Sequence, residues 1–267
     1  MPAKNLLLVP NDWQLKVAKP GTAAGDQKRD EFIHDLLAIC GDVRVLWLPA
    51  NGDTTTSTSV DRNARVHTYD ASIASRKSVL GSGISVSFNG SDQYATAPDT
   101  DNLSLGNGTT EGAFSVVVLG SVTASAAAKA FCSKWASSTN EEYALVSNSD
   151  ETVSFLLVDA STDGIIDFAT TSAYTGRHLF SGTYDGSRSH IGVAVQIDAV
   201  AVAGTASLSG TYVAMENLGA TFDIGQRQGA AQLSGSLEFV LVCAKQLSID
   251  DLWSIKALCN AFYDLAL

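Results

Sequence analysis

The feature that most constrains this chain is a repeated alternation of apolar and polar residues in short segments. Successive side chains of a β-strand point to opposite faces, so alternation with a period of two predicts strands that bury one face. The clearest run is HIGVAVQID (190–198), which predicts one buried face made of Ile191, Val193, Val195 and Ile197. Similar runs, separated by turns rich in Gly, Asp, Ser and Asn, predict strands at 43–47, 84–90, 113–120, 130–135, 142–147, 152–158, 164–169, 178–184, 220–225 and 236–244.

More than eight short strands without intervening helices predict an antiparallel sandwich, because parallel strands need crossover connections. A chain of 267 residues fits one large all-β domain, since such domains reach roughly 200 to 250 residues. We therefore predict an all-β fold: an antiparallel two-sheet jelly-roll sandwich with a short N-terminal helix and a C-terminal helix.

Residues 1–45 are predicted to form an N-terminal extended arm and amphipathic helix, ahead of a jelly-roll domain at 46–267. Pro and Gly punctuate residues 1–25, and such an arm needs a partner surface to become ordered. Residues 26–40 then carry apolar side chains at helical spacing. The side chains predicted to mediate assembly, with other proteins or with copies of this chain, are Trp13, Phe32, Ile33, Leu36 and Leu37.

The chain is predicted to close with a second helix. Ser248 followed three residues later by Asp251 is a capping signature, because each side chain can bond to the other residue's backbone N–H. The apolar stripe of this helix is predicted to be Leu252, Ile255, Leu258, Cys259 and Phe262.

Composition excludes several classes of partner. The formal net charge of −11, from 28 acidic and 17 basic residues, predicts no binding to nucleic acid. No apolar run approaches the roughly 20 residues of a membrane span, so membrane insertion is not expected. The first residues lack the apolar core of a secretory signal, which predicts synthesis in a cytoplasm. Four scattered cysteines without a CxxC pair predict buried free thiols.

The segment SVSFNGSDQYATAPDTDNLSLG resembles the opening of a concanavalin A-like, laminin-G-like jelly-roll domain. The matching residues are Phe88, Asn89, Gly90, Asp92, Tyr94, Pro98 and Leu103. Later segments resemble further strands and turns of that family at His178, Gly182, Thr183, Tyr184, Asp185, Gly186, Ile224, Gly225, Gly235, Leu237, Leu247 and Ser248. The resemblance runs from about residue 46 to residue 263. It implies the fold, and the family includes lectins, adhesins, virion proteins and some hydrolases.

Catalytic patterns are absent from the sequence. A glycoside hydrolase needs two carboxylates roughly 5 to 10 Å apart, and related glucanases carry them as a Glu-x-Asp-x-Glu alternation on one strand. Here Glu238 is the lone acid on its predicted strand. The sequence also lacks GxSxG, HExxH, GxxxxGK[ST] and GxGxxG motifs. We therefore predict no catalytic residues.

One segment imitates the start of a calcium-binding loop. In VDASTDGIIDF the candidate ligands for a structural calcium are Asp159, Ser161, Asp163 and Asp167. The twelfth position is Thr170, where such loops have a bidentate Glu. Two strands joined by an Asp-Gly turn explain the same residues, and we favour that hairpin.

Exposed aromatic rings on a concave sheet or at loop tips would indicate sugar binding, because such rings stack on apolar sugar faces. The candidates by position are Trp135, Tyr143, Tyr174 and Tyr212. For Trp135 and Tyr143 the favoured alternative is packing in the core or at a subunit contact, because aromatic residues make up only 8% of the chain.

Three functions follow from these observations. The leading hypothesis is a non-catalytic virion structural protein, a capsid decoration or minor surface component of a tailed bacteriophage that also adheres to host glycans. It would be held at the virion surface by its N-terminal arm. The alternative is a free-standing carbohydrate-binding lectin or adhesin module that binds surface polysaccharide. The third is a glycan hydrolase or lyase with acids supplied by different strands.

Overall fold

The computed structural model describes the backbone of residues 24–48, 56–59, 66–69, 76–78, 84–137, 139–227 and 230–267. Its regular elements are α1 (Ala24–Cys40), β1 (Val43–Leu48), β2 (Thr56–Ser59), β3 (Val66–Tyr69), β4 (Arg76–Ser78), β5 (Ile84–Asn89), β6 (Ala95–Ala97), β7 (Phe114–Val122), β8 (Lys129–Ser137), β9 (Asn140–Ser147), β10 (Val153–Asp159), β11 (Gly164–Thr170), β12 (Gly176–Tyr184), β13 (Val193–Ile197), β14 (Val200–Ala201), β15 (Gly204–Ser209), β16 (Phe222–Ile224), β17 (Ser234–Cys243) and α2 (Ile249–Tyr263). Short 3-10 turns lie at Asp101–Leu103 and His190–Gly192.

The strands form two packed antiparallel sheets. The first sheet has the order β14-β13-β12-β7-β17-β1, and β5 and β4 continue from the early half of β17. The second sheet has the order β15-β11-β10-β9-β8-β16-β6-β3. Strand β2 pairs with both β1 and β3, so hydrogen bonding continues from one sheet to the other. The predicted antiparallel sandwich is confirmed.

The core lies between the two sheets and is built from alternate residues of each strand. On β13 the side chains of Val193, Val195 and Ile197 face the core, as the period of two predicts. The rings of Phe131 on β8 and Phe180 on β12 join the two sheets, with ring centroids 4.4 Å apart. Contacts of this kind fix the spacing of the layers.

Both helices pack on the outer face of the first sheet. The ring of Phe32 in α1 stacks on Phe262 of α2 with centroids 4.5 Å apart, and both belong to one apolar cluster with Leu241 of β17. The predicted capping box of α2 is confirmed: Asp251 N–H donates to Ser248 Oγ (3.1 Å), and Ser248 N–H donates to the Asp251 carboxylate (2.9 Å). We call this region the helix layer.

Two details differ from the sequence-based expectation. Ile191 was predicted to be buried on a strand, but it lies in the 3-10 turn before β13 and is 80% exposed. The turn interrupts the alternation of apolar and polar residues that the sequence shows. The boundary predicted at residue 45 falls inside β1, and α1 packs on the same sandwich through its apolar face.

Two further features concern the described residues. The four cysteines are buried, as predicted. Within the described ranges, the helices are too short or too polar to cross a membrane.

Candidate functional site

At one end of the sandwich, residues 211–221 lead from β15 to β16 without helix or strand. This is the end at which β7 begins, β12 ends and β10 ends. Buried backbone N–H and C=O groups need hydrogen-bond partners, and an irregular segment has no ladder to supply them. Here three carboxylates from elsewhere in the chain supply the acceptors. We call residues 211–221 the clamped segment and this part of the molecule the clamped end.

Asp159, the last residue of β10, holds the first part of the clamped segment. Its Oδ2 accepts hydrogen bonds from the N–H groups of Val213 (2.8 Å) and Ala214 (3.3 Å), and its Oδ1 accepts one from Ser161 Oγ (3.0 Å). Burial opposes ionisation of Asp159, but these hydrogen bonds outweigh it and lower the pKa of its carboxyl. Asp159 is therefore an ionised acceptor for backbone N–H groups.

Glu111 holds the middle of the clamped segment. Its Oε2 accepts from Tyr212 Oη (2.7 Å) and from Met215 N–H (2.7 Å), while its Oε1 accepts from Tyr184 Oη. Burial, together with the neighbouring Glu111, raises the pKa of both tyrosines. Both phenols therefore stay protonated near neutral pH and act as donors.

Glu142 holds the last part of the clamped segment. Its Oε1 accepts from Leu218 N–H (3.0 Å) and Ser104 Oγ (3.1 Å), and lies 2.7 Å from Lys134 Nζ. Burial raises the pKa of Glu142 to about 7, although Lys134 favours the ionised form. Lys134 Nζ also donates to Asp99 Oδ1 (2.7 Å) and to the carbonyls of Leu218 (2.8 Å) and Ala220 (2.9 Å).

Glycines let neighbouring backbone approach the clamped segment closely. A Cβ on Gly164 would lie 2.2 Å from the carbonyl oxygen of Thr211, and a Cβ on Gly106 would lie 2.2 Å from that of Met215. Gly108 N–H donates to the same Met215 carbonyl (2.8 Å). The segment is therefore held by backbone contacts as well as by carboxylates.

The clamped end presents a mixed apolar and polar surface. Val213 is 42% exposed on the clamped segment, and Ile191 lies exposed on the turn before β13. Asn217 is exposed and positioned by Ser104 Oγ (3.0 Å) and by Asp101 Oδ1 (3.1 Å). Small-molecule sites combine an apolar lining with a few oriented polar groups. Rigid support from below is what a binding loop requires.

The predicted calcium ligands do not converge. Residues 160–163 form the turn of the β10–β11 hairpin, in which Asp159 pairs with Gly164. Asp167 lies farther along β11 opposite Leu156, and burial raises the pKa of its carboxyl. Within the described residues, no group of three His, Cys, Asp or Glu side chains is arranged to hold a metal ion. The structure thus shows the hairpin, with Asp159 engaged by the clamped segment.

The four aromatic residues predicted to bind glycan lie in four different places. Tyr143 is a core residue with 0% exposure, and its Oη donates to Leu103 O (2.9 Å), so no ring face is open to a sugar. Trp135 is 6% exposed on the outer face of the second sheet, with the guanidinium of Arg227 4.8 Å from its ring centroid. Tyr174 lies at the opposite end of the sandwich, beside His178. Tyr212 lies on the clamped segment.

The helical residues predicted for assembly are engaged within the chain itself. Phe32, Ile33 and Leu36 are buried in the helix layer, and Leu37 packs against it. This corrects the expectation that α1 offers its apolar face to a partner, because the face is already covered by α2 and the first sheet. Trp13 lies outside the described residues.

Sequence reasoning missed Glu111, Glu142 and Lys134. Glu111 lies 104 residues from Met215, and Glu142 lies 76 residues from Leu218. Such separations leave no local pattern. The one usable signal is that Lys134 and Glu142 are charged residues within predicted strands.

No protein-family model and no curated protein sequence matches the chain. Solved structures do match. The botulinum neurotoxin serotype G binding domain is 9% identical with a TM-score of 0.57, covering 82% of this chain and 51% of that one. Trypanosoma rangeli sialidase in complex with sialic acid is 13% identical with a TM-score of 0.56, covering 90% of this chain and 38% of that one. The binding domain of Paraclostridial Mosquitocidal Protein 1 is 6% identical with a TM-score of 0.54, covering 82% of this chain and 52% of that one.

These likenesses concern the fold. The chain shares a β-sandwich fold with these structures, which agrees with the fold that the sequence resemblance implies. It spans 38% of the sialidase and about half of each binding domain. Some of the matching structures are binding domains and others are enzymes.

Proposed function

We propose that this chain is a non-catalytic, carbohydrate-binding β-sandwich module that binds its glycan at the clamped end. The observation that carries the proposal is the clamped segment itself. Three acidic side chains, two of them fully buried and all drawn from distant parts of the chain, fix one irregular stretch of backbone. Burying a carboxylate opposes folding unless its hydrogen bonds compensate. A fixed conformation of that stretch is therefore what the arrangement produces.

The comparisons support this class of function over the leading sequence-based hypothesis. Two of the similar structures are binding domains, and one is an enzyme in complex with sialic acid. Attachment to a virion through α1 would require its apolar face, which the helix layer occupies. Attachment through residues 1–23 stays a prediction.

The chemistry of the clamped end favours binding over catalysis. Both oxygens of Glu111 and of Asp159 accept hydrogen bonds from the chain's own groups. A general acid or nucleophile must instead face its substrate. Burial raises the pKa of Tyr184 and of Tyr212, so both phenols stay protonated and donate their hydrogen bonds to Glu111. The carboxylates are therefore supports for a binding surface.

The test is a glycan-binding screen of the full chain, followed by titration of the best ligand against Glu111→Gln. The amide places an NH₂ group among three donors, so the clamped segment should shift. We expect an affinity at least about tenfold lower, corresponding to about 1.4 kcal/mol. Val213→Asp, at an exposed position of the same segment, should also weaken binding without loss of the fold. Product analysis of the same mixtures should show intact glycan.

The matched control is Glu151→Gln. Glu151 accepts the N–H of Ser125 (2.8 Å) at the opposite end of the sandwich, and its carbonyl accepts the N–H of Tyr174 (2.8 Å). The affinity of the Glu151→Gln variant for the glycan should equal that of the unaltered chain. If instead Glu151→Gln weakens binding and Glu111→Gln does not, the site lies at the Tyr174 end. If no glycan binds at all, the proposed function is wrong.

A further inference from the structure

His178 lies near the start of β12, at the end of the sandwich opposite the clamped end. Its two ring nitrogens face different parts of the chain. Nδ1 lies 2.7 Å from Asp198 Oδ2, in the turn between β13 and β14, and Nε2 lies 3.1 Å from the carbonyl oxygen of Thr175. Thr175 belongs to the β11–β12 loop, which we define as residues 171–175. The side chain of His178 therefore connects this loop to the β13–β14 turn.

Both contacts of the His178 ring are hydrogen bonds only when the ring carries two protons. A carboxylate oxygen and a carbonyl oxygen accept hydrogen bonds and cannot donate them, whereas a neutral imidazole has a proton on one nitrogen only. With a single proton, the other nitrogen would present a lone pair to an acceptor oxygen. The geometry is therefore that of an imidazolium.

Asp198 is held in position to pair with this imidazolium. Its Oδ1 accepts a hydrogen bond from Leu179 N–H (2.9 Å), and its backbone carbonyl accepts one from Lys256 Nζ of α2 (3.2 Å). Burial opposes ionisation of Asp198, but its hydrogen bonds outweigh burial and lower the pKa of its carboxyl. The carboxylate is therefore ionised, and its charge favours the protonated form of His178.

The other neighbours of His178 come from β7, from the β11–β12 loop and from its own strand. On β7 the residue opposite it is Gly120, and in the loop the ring of Tyr174 meets the imidazole edge-on with centroids 5.9 Å apart. The adjacent Arg177 is paired with Glu238, with 2.9 Å between Nη2 and Oε1. Among the described residues around His178, the carboxylate in the β13–β14 turn is therefore the opposite charge that it faces.

We propose that His178 is a pH-sensitive switch, which ties the β11–β12 loop to the sandwich as an imidazolium and releases the loop when it loses its proton. Loss of the Nε2 proton leaves Nδ1–H bonded to Asp198 but removes the hydrogen bond to Thr175 O. The next hydrogen bond that holds the loop is then the one that Tyr174 N–H donates to Glu151 O (2.8 Å). The switch lies at the opposite end from the clamped end and does not depend on glycan binding there.

The switch operates as pH rises above the ordinary pKa of a histidine side chain. The hydrogen bond to Asp198 raises the pKa of His178 above 6.5, although burial opposes this. Because the folded state then binds the proton more tightly than the unfolded state does, the stabilisation is fully present below pH 6.5 and is lost as pH rises through the raised pKa. The loop is therefore held at acidic pH and released at higher pH.

The first test is nitrogen-15 NMR of the full chain with labelled histidine, titrated from about pH 5 to about pH 9. We expect two protonated ring nitrogens for His178 at the acidic end, a midpoint above 6.5, and a proton on Nδ1 alone beyond the midpoint. The His178→Gln variant assigns the signal by its absence. A midpoint at or below 6.5, or a single protonated nitrogen at the acidic end, would overturn the proposal.

Hydrogen exchange of the same samples measures the loop. Protection of Tyr174 N–H, corrected for the intrinsic exchange rate at each pH, should fall about tenfold through the same midpoint, because one hydrogen bond to a charged group is lost. Asp198→Asn should move the midpoint and the loss of protection to lower pH together, and asparagine suits the left-handed backbone at this position (φ 53°). Protection that does not change across the titration would contradict the release of the loop.

Two control variants separate His178 from other groups that titrate in this range. Burial raises the pKa of Glu238, the partner of Arg177, to about 7, so Glu238→Gln should keep the loss of protection. His190→Gln changes a histidine in the 3-10 turn at the clamped end and should also keep it. A loss of protection that survives His178→Gln, or that disappears in Glu238→Gln, would assign the pH dependence to another group and overturn the proposal.

Discussion

The helix layer and the clamped end each cover part of the sandwich, but the helix layer does so by apolar packing and the clamped end by hydrogen bonds to carboxylates. In the helix layer, apolar side chains of two helices cover one face of the first sheet, and the helices satisfy their own backbone groups. At the clamped end, an irregular segment covers the end of the sandwich, and carboxylates satisfy its backbone groups. The first arrangement tolerates small shifts of side chains. The second depends on hydrogen bonds that are directional.

The helix layer and the clamped end therefore contribute differently to the stability of the fold and to the shape of its surface. Apolar burial contributes free energy roughly in proportion to area, so the helix layer should contribute more to the stability of the fold than the clamped end does. The carboxylates contribute less net free energy, because their desolvation opposes folding. What they determine is the path of residues 211–221. A region that contributes modest stability but a defined shape is suited to recognition.

The largest expected effect is in the helix layer. Phe32→Ala removes a ring that contacts Phe262 and Tyr263 of α2 and Phe239 of β17. Loss of a buried Phe side chain typically lowers the free energy of unfolding by about 3–5 kcal/mol. Urea unfolding followed by circular dichroism would measure it.

His34→Ala on the same helix is the control for Phe32→Ala. Its side chain is exposed, so the change should stay within about 0.5 kcal/mol. Equal losses for the two variants would show that α1 contributes through helix content and not through packing on the sheet.

The helix layer was predictable from the sequence in a way that the clamped end was not. The apolar stripe of α1 and the Ser248–Asp251 capping box are local patterns, and the structure contains both. Asp159 illustrates the opposite case. Its neighbours in the sequence suggested calcium, but its main partner is Val213, 54 residues away. Hydrogen bonds across such distances leave no periodicity to detect.

The same reasoning explains the mixed outcome for the aromatic residues. Strand alternation predicts which side of its strand Tyr143 occupies. It does not predict whether that side faces the core or a cleft. The 3-10 turn at Ile191 breaks a pattern that the letters alone continue. Alternation therefore determined the strands, while the position of each face depended on the packing of the whole sandwich.

Two carboxyls are buried in comparable surroundings, Glu142 at the clamped end and Glu238 under the helix layer. Burial raises the pKa of each to about 7 from an ordinary value of 4.5. Between those pH values the folded state holds protons that the unfolded state has released. The free energy of unfolding should therefore fall as pH rises from about 4.5 to about 7. Unfolding measured across that range would show it.

Replacing each acid separates the two regions. Lys134, the partner of Glu142, is fully buried, whereas the side chain of Arg177, the partner of Glu238, is 34% exposed. Glu142→Gln should lower the free energy of unfolding by about 2–4 kcal/mol at pH 8, because it removes one partner of a buried cation. Glu238→Gln should leave stability at pH 8 unchanged or higher. The reverse ranking would contradict this account of the clamped end.

The smallest expected effect concerns Gly164, where β11 begins beside the clamped segment. In Gly164→Ala the new methyl group would lie 2.2 Å from Thr211 O and 2.7 Å from Tyr212 Cα, both backbone atoms. The segment must move, and we expect a loss of about 1–3 kcal/mol. Hydrogen exchange should accelerate at Val213 and Met215, whose N–H groups bond to carboxylates.

Gly219→Ala provides the matched comparison within the same segment. A Cβ at Gly219 meets nothing within 4 Å, so its stability should stay within about 0.5 kcal/mol of the unaltered chain. If the N–H of Val213 stays protected from hydrogen exchange in Gly164→Ala, the segment moves without losing its carboxylate contacts. The clamped end would then be as adaptable as the helix layer. Selective loss of protection in Gly164→Ala alone would show instead that glycine backbone contacts and carboxylates hold the segment jointly.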